Sequence, residues 1–274
     1  MAYHTRSDSF PSRPHPIIQE ADEHLSRLRS SESTSASSST IRHKLSGLQD
    51  LHDCVDRLLQ LPLNQQALAQ EKNQKCYNEL LDGSLRLLDV CSTAKDALLQ
   101  TKEYMQNLQS IIRRRRGEES EVLKSEVKKY LASRKIVKKA IHKAMGNLKG
   151  MKNSVLNKDQ ETIAIVSKLR DVEAVTLTIF DSVLSFISRP KSRPSSWSLV
   201  SKMVLSKRIA CDEEANVNEF DEVDAALKSL KSADNAQNQP SKLESCIQDQ
   251  EEGLESLFRQ LIKTRVSLLN ILNH

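Results

Sequence analysis

Seven histidines and five cysteines are the side chains in this sequence best suited to hold a metal or attack a substrate, and neither set is spaced to do so. No two cysteines stand in a CxxC, no HExxH occurs, and no Ser or Cys sits in a nucleophile elbow or beside a His motif. The odd, scattered thiols Cys54, Cys76, Cys91, Cys211 and Cys246 fit neither a disulfide framework nor a zinc site. Cys54, Cys91 and Cys246 fall where a small apolar residue suits a helix face, so buried free thiols in a reducing, intracellular compartment are expected. Asp50, Asp53 and Asp56 read as the polar flank of a helix rather than a metal cluster, and His52 as a satisfied core residue. Helical bundles build di-metal sites from Glu-x-x-His pairs, and no such pair is present. GxGxxG and GxxxxGK[ST] are absent as well, which removes the common nucleotide folds. No catalytic residue, metal ligand or cofactor is therefore expected, and the chain reads as a non-enzyme.

Charge is the most uneven feature. Residues 113–152 hold 14 Lys or Arg against 4 acidic groups, a net of +10 in a chain whose total is +5. At 100° per residue, Lys124, Lys128, Lys135, Lys138, Lys139, His142 and Lys149 fall on one side of a helix. Val127, Tyr130, Val137, Ile141, Ala144 and Leu148 fall on the other. Three readings compete for this basic ridge. It could be a solvated face partly neutralised by the acidic C-terminal third, including Glu219, Asp221, Glu222, Asp224 and Asp249. It could receive an acidic protein or an anionic membrane surface. Nucleic acid is the weakest of the three, because only Tyr130 accompanies the lysines and base stacking wants more aromatics.

Two short segments add to this. Arg6, Ser7, Asp8, Ser9, Phe10 and Pro11 spell an R-S-x-S-x-P arrangement, in which phosphorylated Ser9 could be gripped by the Arg cluster of a 14-3-3 protein; an inert tail is the alternative. Arg113–Arg116 suits phosphate or nuclear import, although four cations at a helix C-terminus are explained by the macrodipole alone.

The elements that must carry these residues are helices. Aromatics make up 4% of the chain, with 6 Gly and 7 Pro, so the apolar content is carried by Leu, Ile, Val and Ala, a diet poor for sheets. Residues 1–40, rich in Pro and Ser, predict a mobile tail in which Ile17–Arg29 forms a short helix docking through Ile18, Leu25 and Leu28. From Ile41, three-and-four spacing runs to a stop at Pro62. A long stripe follows over about 65–114, with Gly83 as a break or bend and Gly117 as a stop. Further helices are predicted over 118–152, closed by Gly150 and a polar stretch around Asn157, then over 159–188, 195–207 and 217–232. The last, 241–273, places Leu243, Ile247, Gln250, Leu254, Leu257, Leu261, Thr264, Leu268 and Ile271 in a coiled-coil-like seam. This pattern predicts an all-α fold: one elongated bundle of long antiparallel helices over 41–274 behind a flexible N-terminal tail.

No stretch approaches the length of apolar chain needed to cross a bilayer, and Met1–Ile17 lacks a signal-peptide core. A protein neither transmembrane nor secreted is expected, cytoplasmic before nuclear or plastid. Asp8, Glu20, Asp22 and Glu23 weigh against a transit peptide.

Long strings of the chain resemble a plant-restricted family once catalogued as a domain of unknown function and now labelled Bypass-one-like. They include RSDSFPSRPHP, LQDLHDCVDRLLQLPLNQQAL, LLDGSLRLLDVCSTAKDALLQTKE, KYLASRK, NEFDEVDAAL and the C-terminal LESCIQDQEEGLESLFRQLIKTRVSLLNILNH. The resemblance runs end to end. It implies a role in plant root and shoot development, the namesake restraining a mobile root-derived signal, and it transfers no catalytic residue. Together these readings point to a non-enzymatic helical interaction protein. The alternatives are a peripheral membrane adaptor using helix 118–152, or a metabolite-binding or enzymatic bundle.

Overall fold

The computed structural model describes residues 15–31, 37–70, 74–114, 120–156, 163–188, 218–228 and 238–272. Among them are eight helices and no strand, so the fold is all-α. In chain order these are α1 (Pro16–Ser30), α2 (Ser38–Leu59), α3 (Pro62–Gln70), α4 (Gln74–Arg114), α5 (Ser120–Leu156), α6 (Ala164–Ser188), α7 (Glu219–Lys228) and α8 (Asn238–Leu272). The 195–207 helix and the RSDSFP motif lie outside the described residues.

Local chemistry sets several of the helix ends. Pro16 opens α1 where its missing N–H costs nothing, and the His15 ring accepts from the Ile17 amide. Ser37 caps α2, its hydroxyl accepting from Thr40 N at 3.2 Å. Pro62 ends the run after α2 and starts α3 at once. Arg113 and Arg114 occupy the last turn of α4, where cations meet the macrodipole favourably.

Two glycines expected to break helices do not. α4 continues through Gly83, because that residue is needed for a close approach: a Cβ there would stand 2.6 Å from Glu173 Oε2 on α6. α5 continues through both Gly146 and Gly150, where a Cβ would meet nothing within 4 Å. A lone mid-helix Gly costs only about 1 kcal/mol, less than tertiary packing returns.

Four helices, α2, α4, α6 and α8, surround the core. α2 and α8 run parallel: the contacts Ser38–Cys246, Asp53–Gln260 and Asp56–Lys263 advance together along both. α4 runs antiparallel to α8, with Gln106 on Glu244, Lys102 on Glu251 and Arg265 on the Leu81 carbonyl. α4 is parallel to α6 through Glu79–Arg170 and Arg86–Glu173. α5 packs on α4 and α6, and α1 lies antiparallel along α2, its Ile17 meeting Cys54 and its Leu28 meeting Gly47. With 41 residues, α4 spans about 60 Å, which sets the bundle's long axis.

One continuous core links α1 to α8. Every residue of the predicted α8 seam from Leu243 to Ile271 is buried, and its covers are α2 and α4 of the same chain. α1 docks through Leu25 and Leu28, with Ile18 packed on a small satellite cluster of Ala21, Cys54 and Leu58. Gly47 makes room for Leu28, so the packed body begins at Pro16, ahead of residue 41.

Candidate functional site

The exposed side of α5 is the first feature with functional chemistry. Val127, Tyr130, Val137, Ile141 and Leu148 bury one side against the bundle. Opposite them Lys124, Lys128, Lys135, Lys139, His142 and Lys149 stand exposed. Lys124 pairs within its own helix with Glu121 at 2.8 Å, whose carboxyl this bond holds below the usual range, Lys128 adding a smaller pull. Lys135, Lys139 and Lys149 make no ion pair among the described residues.

Lys138 does not belong to this row. Its side chain is half-buried and its Nζ lies 2.8 Å from Asp224 Oδ2 on α7, because Lys138 sits at the edge of the exposed arc nearest that helix. The charge neutralisation expected from the acidic C-terminal third is thus real at Lys138, while the five exposed lysines are left outside it.

Asp224 is the centre of a buried polar node that sequence reasoning missed. Its Oδ1 accepts from Tyr130 OH at 3.1 Å and from Arg134 Nε at 3.3 Å. The Arg134 guanidinium also donates to the Ile187 carbonyl at 2.9 Å and stands 4.9 Å from the Phe220 ring centroid. Asn218 caps α7 by accepting from Asp221 N, and its amide donates to the Phe186 carbonyl at 2.6 Å. Arg134 and Asn218 together satisfy carbonyls that the end of α6 leaves orphaned. Burial alone would push the Asp224 carboxyl up, but Arg134, Lys138 and Tyr130 outweigh it and hold it below the usual carboxylate range. Burial, above all, raises the Tyr130 phenol. A signal for the node exists in the sequence: on the α5 wheel Arg134 falls between Val127 and Ile141, within the apolar arc.

The remaining chemistry-bearing groups are fixed in place. His52 is buried, with Nε2 3.1 Å from Thr176 Oγ1, and desolvation lowers its pKa to about 4. Cys54, Cys91 and Cys246 are buried free thiols, pushed by burial up to about 11, 12 and 12, and Cys76 is buried too. Asp56 is no polar flank: it is 2% exposed and receives Lys263, Ser267 and Gln60. It lies on the side of α2 that meets α8, so the three-residue spacing with Asp53 is incidental. No group of three or more His, Cys, Asp or Glu among the described residues could hold a metal.

Several surface depressions lie elsewhere on the bundle, and two of them are lined by paired charges. A groove of about 640 Å³ between α4 and α8 is lined by Lys95, Leu99, Glu251, Glu255 and Arg259, with Glu255 pairing to both Lys95 and Arg259. A polar depression of about 420 Å³ among α1, α2 and α8 holds Glu20, His24, Asp53 and Arg57, again internally paired. Neither is lined by α5. No helix among the described residues is long and apolar enough to cross a membrane.

The family model described as Protein BPS1 matches residues 44–271, from the first turns of α2 to the end of α8. The chain belongs to the BPS1, or Bypass-like, family. Compared with curated proteins and with solved structures, it gave no match. The lysine row and the Asp224 node both lie within the span shared with the BPS1 family, whereas the whole of α1 precedes it.

Proposed function

We propose that this BPS1-family chain is a non-enzymatic helical interaction protein of plant root and shoot development and long-distance growth signalling, with the exposed face of α5 as its docking surface for an anionic partner. The observation that carries this reading is the row Lys124, Lys128, Lys135, Lys139 and Lys149, exposed along about 38 Å of one helix. Cations facing a neighbouring helix, such as Lys102, Arg86 and Lys263, meet carboxylates, whereas this row faces away from the bundle. The developmental setting rests on the family. A binding role is favoured over catalysis because the buried titratable groups at these positions are pinned or inert: Asp224 by three donors, His52 by a lowered pKa, the thiols Cys54, Cys91 and Cys246 by raised ones. The RSDSFP segment is proposed as a second contact, phosphorylated Ser9 with Arg6, Ser7 and Pro11 being offered to a 14-3-3 protein.

Affinity capture from root extract tests both. The full chain is compared with a Lys128→Glu, Lys135→Glu, Lys139→Glu form and with Ser9→Ala, all checked for helicity by circular dichroism. Charge reversal should strip most of the root material retained, soluble and membranous alike, and Ser9→Ala should remove 14-3-3 alone. Identical retention by the wild type and the reversed form would refute the docking surface.

A further inference from the structure

Given that reading of α5, the shape of its face narrows the partner. A metabolite or a folded peptide needs concavity, a groove for a helix or an edge for a strand. The lysine row offers neither: it is the convex side of a helix, and the depressions among α1, α2, α3, α4 and α8 lie elsewhere. Nucleic acid loses its main support, since Tyr130, the aromatic side chain of the basic segment, is fully buried and committed to Asp224. The cations of the row are lysines, compact charges on flexible stems rather than guanidinium forks cut for one bidentate site. Such a row suits a surface whose anions can rearrange to meet it.

A further observation agrees. The charge of the chain is polarised: residues 113–152 carry +10, so the remainder is net negative and is repelled by the surface that attracts α5. The molecule would therefore approach an anionic plane with one helix foremost.

We propose that α5 lies flat on an anionic lipid bilayer, with Lys124, Lys128, Lys135, Lys139 and Lys149 reaching the headgroups and Lys138 held back by Asp224. Binding is peripheral and electrostatic, reversed by salt over the Debye length.

Sedimentation of the full chain with vesicles tests this, using phosphatidylcholine alone against phosphatidylcholine doped with phosphatidylserine. The wild type should sediment with the doped vesicles only, and added salt should release it. Each lysine near such a surface is worth about fivefold in partitioning, so Lys128→Ala, Lys135→Ala, Lys139→Ala together should weaken binding roughly a hundredfold. Removing equal charge elsewhere, by Arg42→Ala, Lys228→Ala, Lys242→Ala, should weaken it far less, and circular dichroism confirms that each form is folded. Failure of the wild type to sediment, or equal losses in the two triple variants, would overturn the lipid assignment. If soluble root proteins were nevertheless retained in a ridge-dependent way, the docking surface would stand with an acidic protein as its occupant.

Discussion

Replacing Asp224 with Asn should detach α7 from the bundle. Asn keeps the size of the side chain and an oxygen for Tyr130, so the change isolates the carboxylate's charge. In the wild type the Arg134 and Asp224 side chains are 3% and 5% exposed, which leaves water little part in stabilising either. Breaking a buried pair by removing one partner costs about 3–5 kcal/mol, because the other charge is left uncompensated. The Arg134 bond to the Ile187 carbonyl survives, and Lys138 can turn to water, so the lower end of that range, about 3 kcal/mol, applies.

The loss should be local. α7 has 10 residues, and besides Asp224 it is held by Phe220, Val223 and Leu227 with the Asn218 cap. Native-state hydrogen exchange reads such an opening directly, and about 3 kcal/mol is roughly a hundredfold in the opening equilibrium. Amides of 222–228 should therefore exchange about a hundred times faster, while those of α8 and α2 keep their protection. The double variant Arg134→Met, Asp224→Leu removes both charges and should return most of the lost protection, since well-packed apolar replacements of buried pairs are often neutral or better. Exchange in α7 within about threefold of wild type in Asp224→Asn would refute the reasoning.

Two other perturbations follow from single sites. His52 has a folded pKa of about 4 against about 6.5 when unfolded, so the unfolded chain takes up the proton first. Its contribution to stability is whole above pH 6.5 and is lost as pH falls toward 4, about 3 kcal/mol in all; urea titrations across that range should show the slope, and His52→Gln should flatten it. Gly146→Ala, with open space where its Cβ would sit, should stabilise α5 by about 1 kcal/mol, read as a rise of about 2–4 °C in melting temperature.

The period of the aliphatic residues carries most of the fold because it records which side of each helix is dry. The α8 seam is the clearest instance: its steps of four and three predict the buried side from Leu243 to Ile271, and α2 and α4 supply the covers. What the period cannot record is the distance between neighbours. Gly83 looks like a weakness in α4 when read along one helix, and it is in fact the place where Glu173, 7% exposed and paired to Arg86, comes within reach of the backbone. Asp56 likewise carries no mark along α2 that its partners, Lys263 and Ser267, wait on α8.

Arg134 and Asp224 show where more could be read. A charged residue in the apolar arc of a helix is a conflict that folding must resolve by pairing, since an isolated buried charge costs far more than any single contact returns. Arg134 sits in such an arc on α5. Asp224 does the same on α7, with Phe220, Val223 and Leu227 around it at spacings of four, one and three. Two opposite conflicts on two helices predict each other, and the pairing fixes both where α7 docks and which lysine leaves the exposed row. Lys138, one turn beyond Arg134, is drawn to the same carboxylate, and that single contact separates the basic face that remains available from the charge already spent inside the bundle.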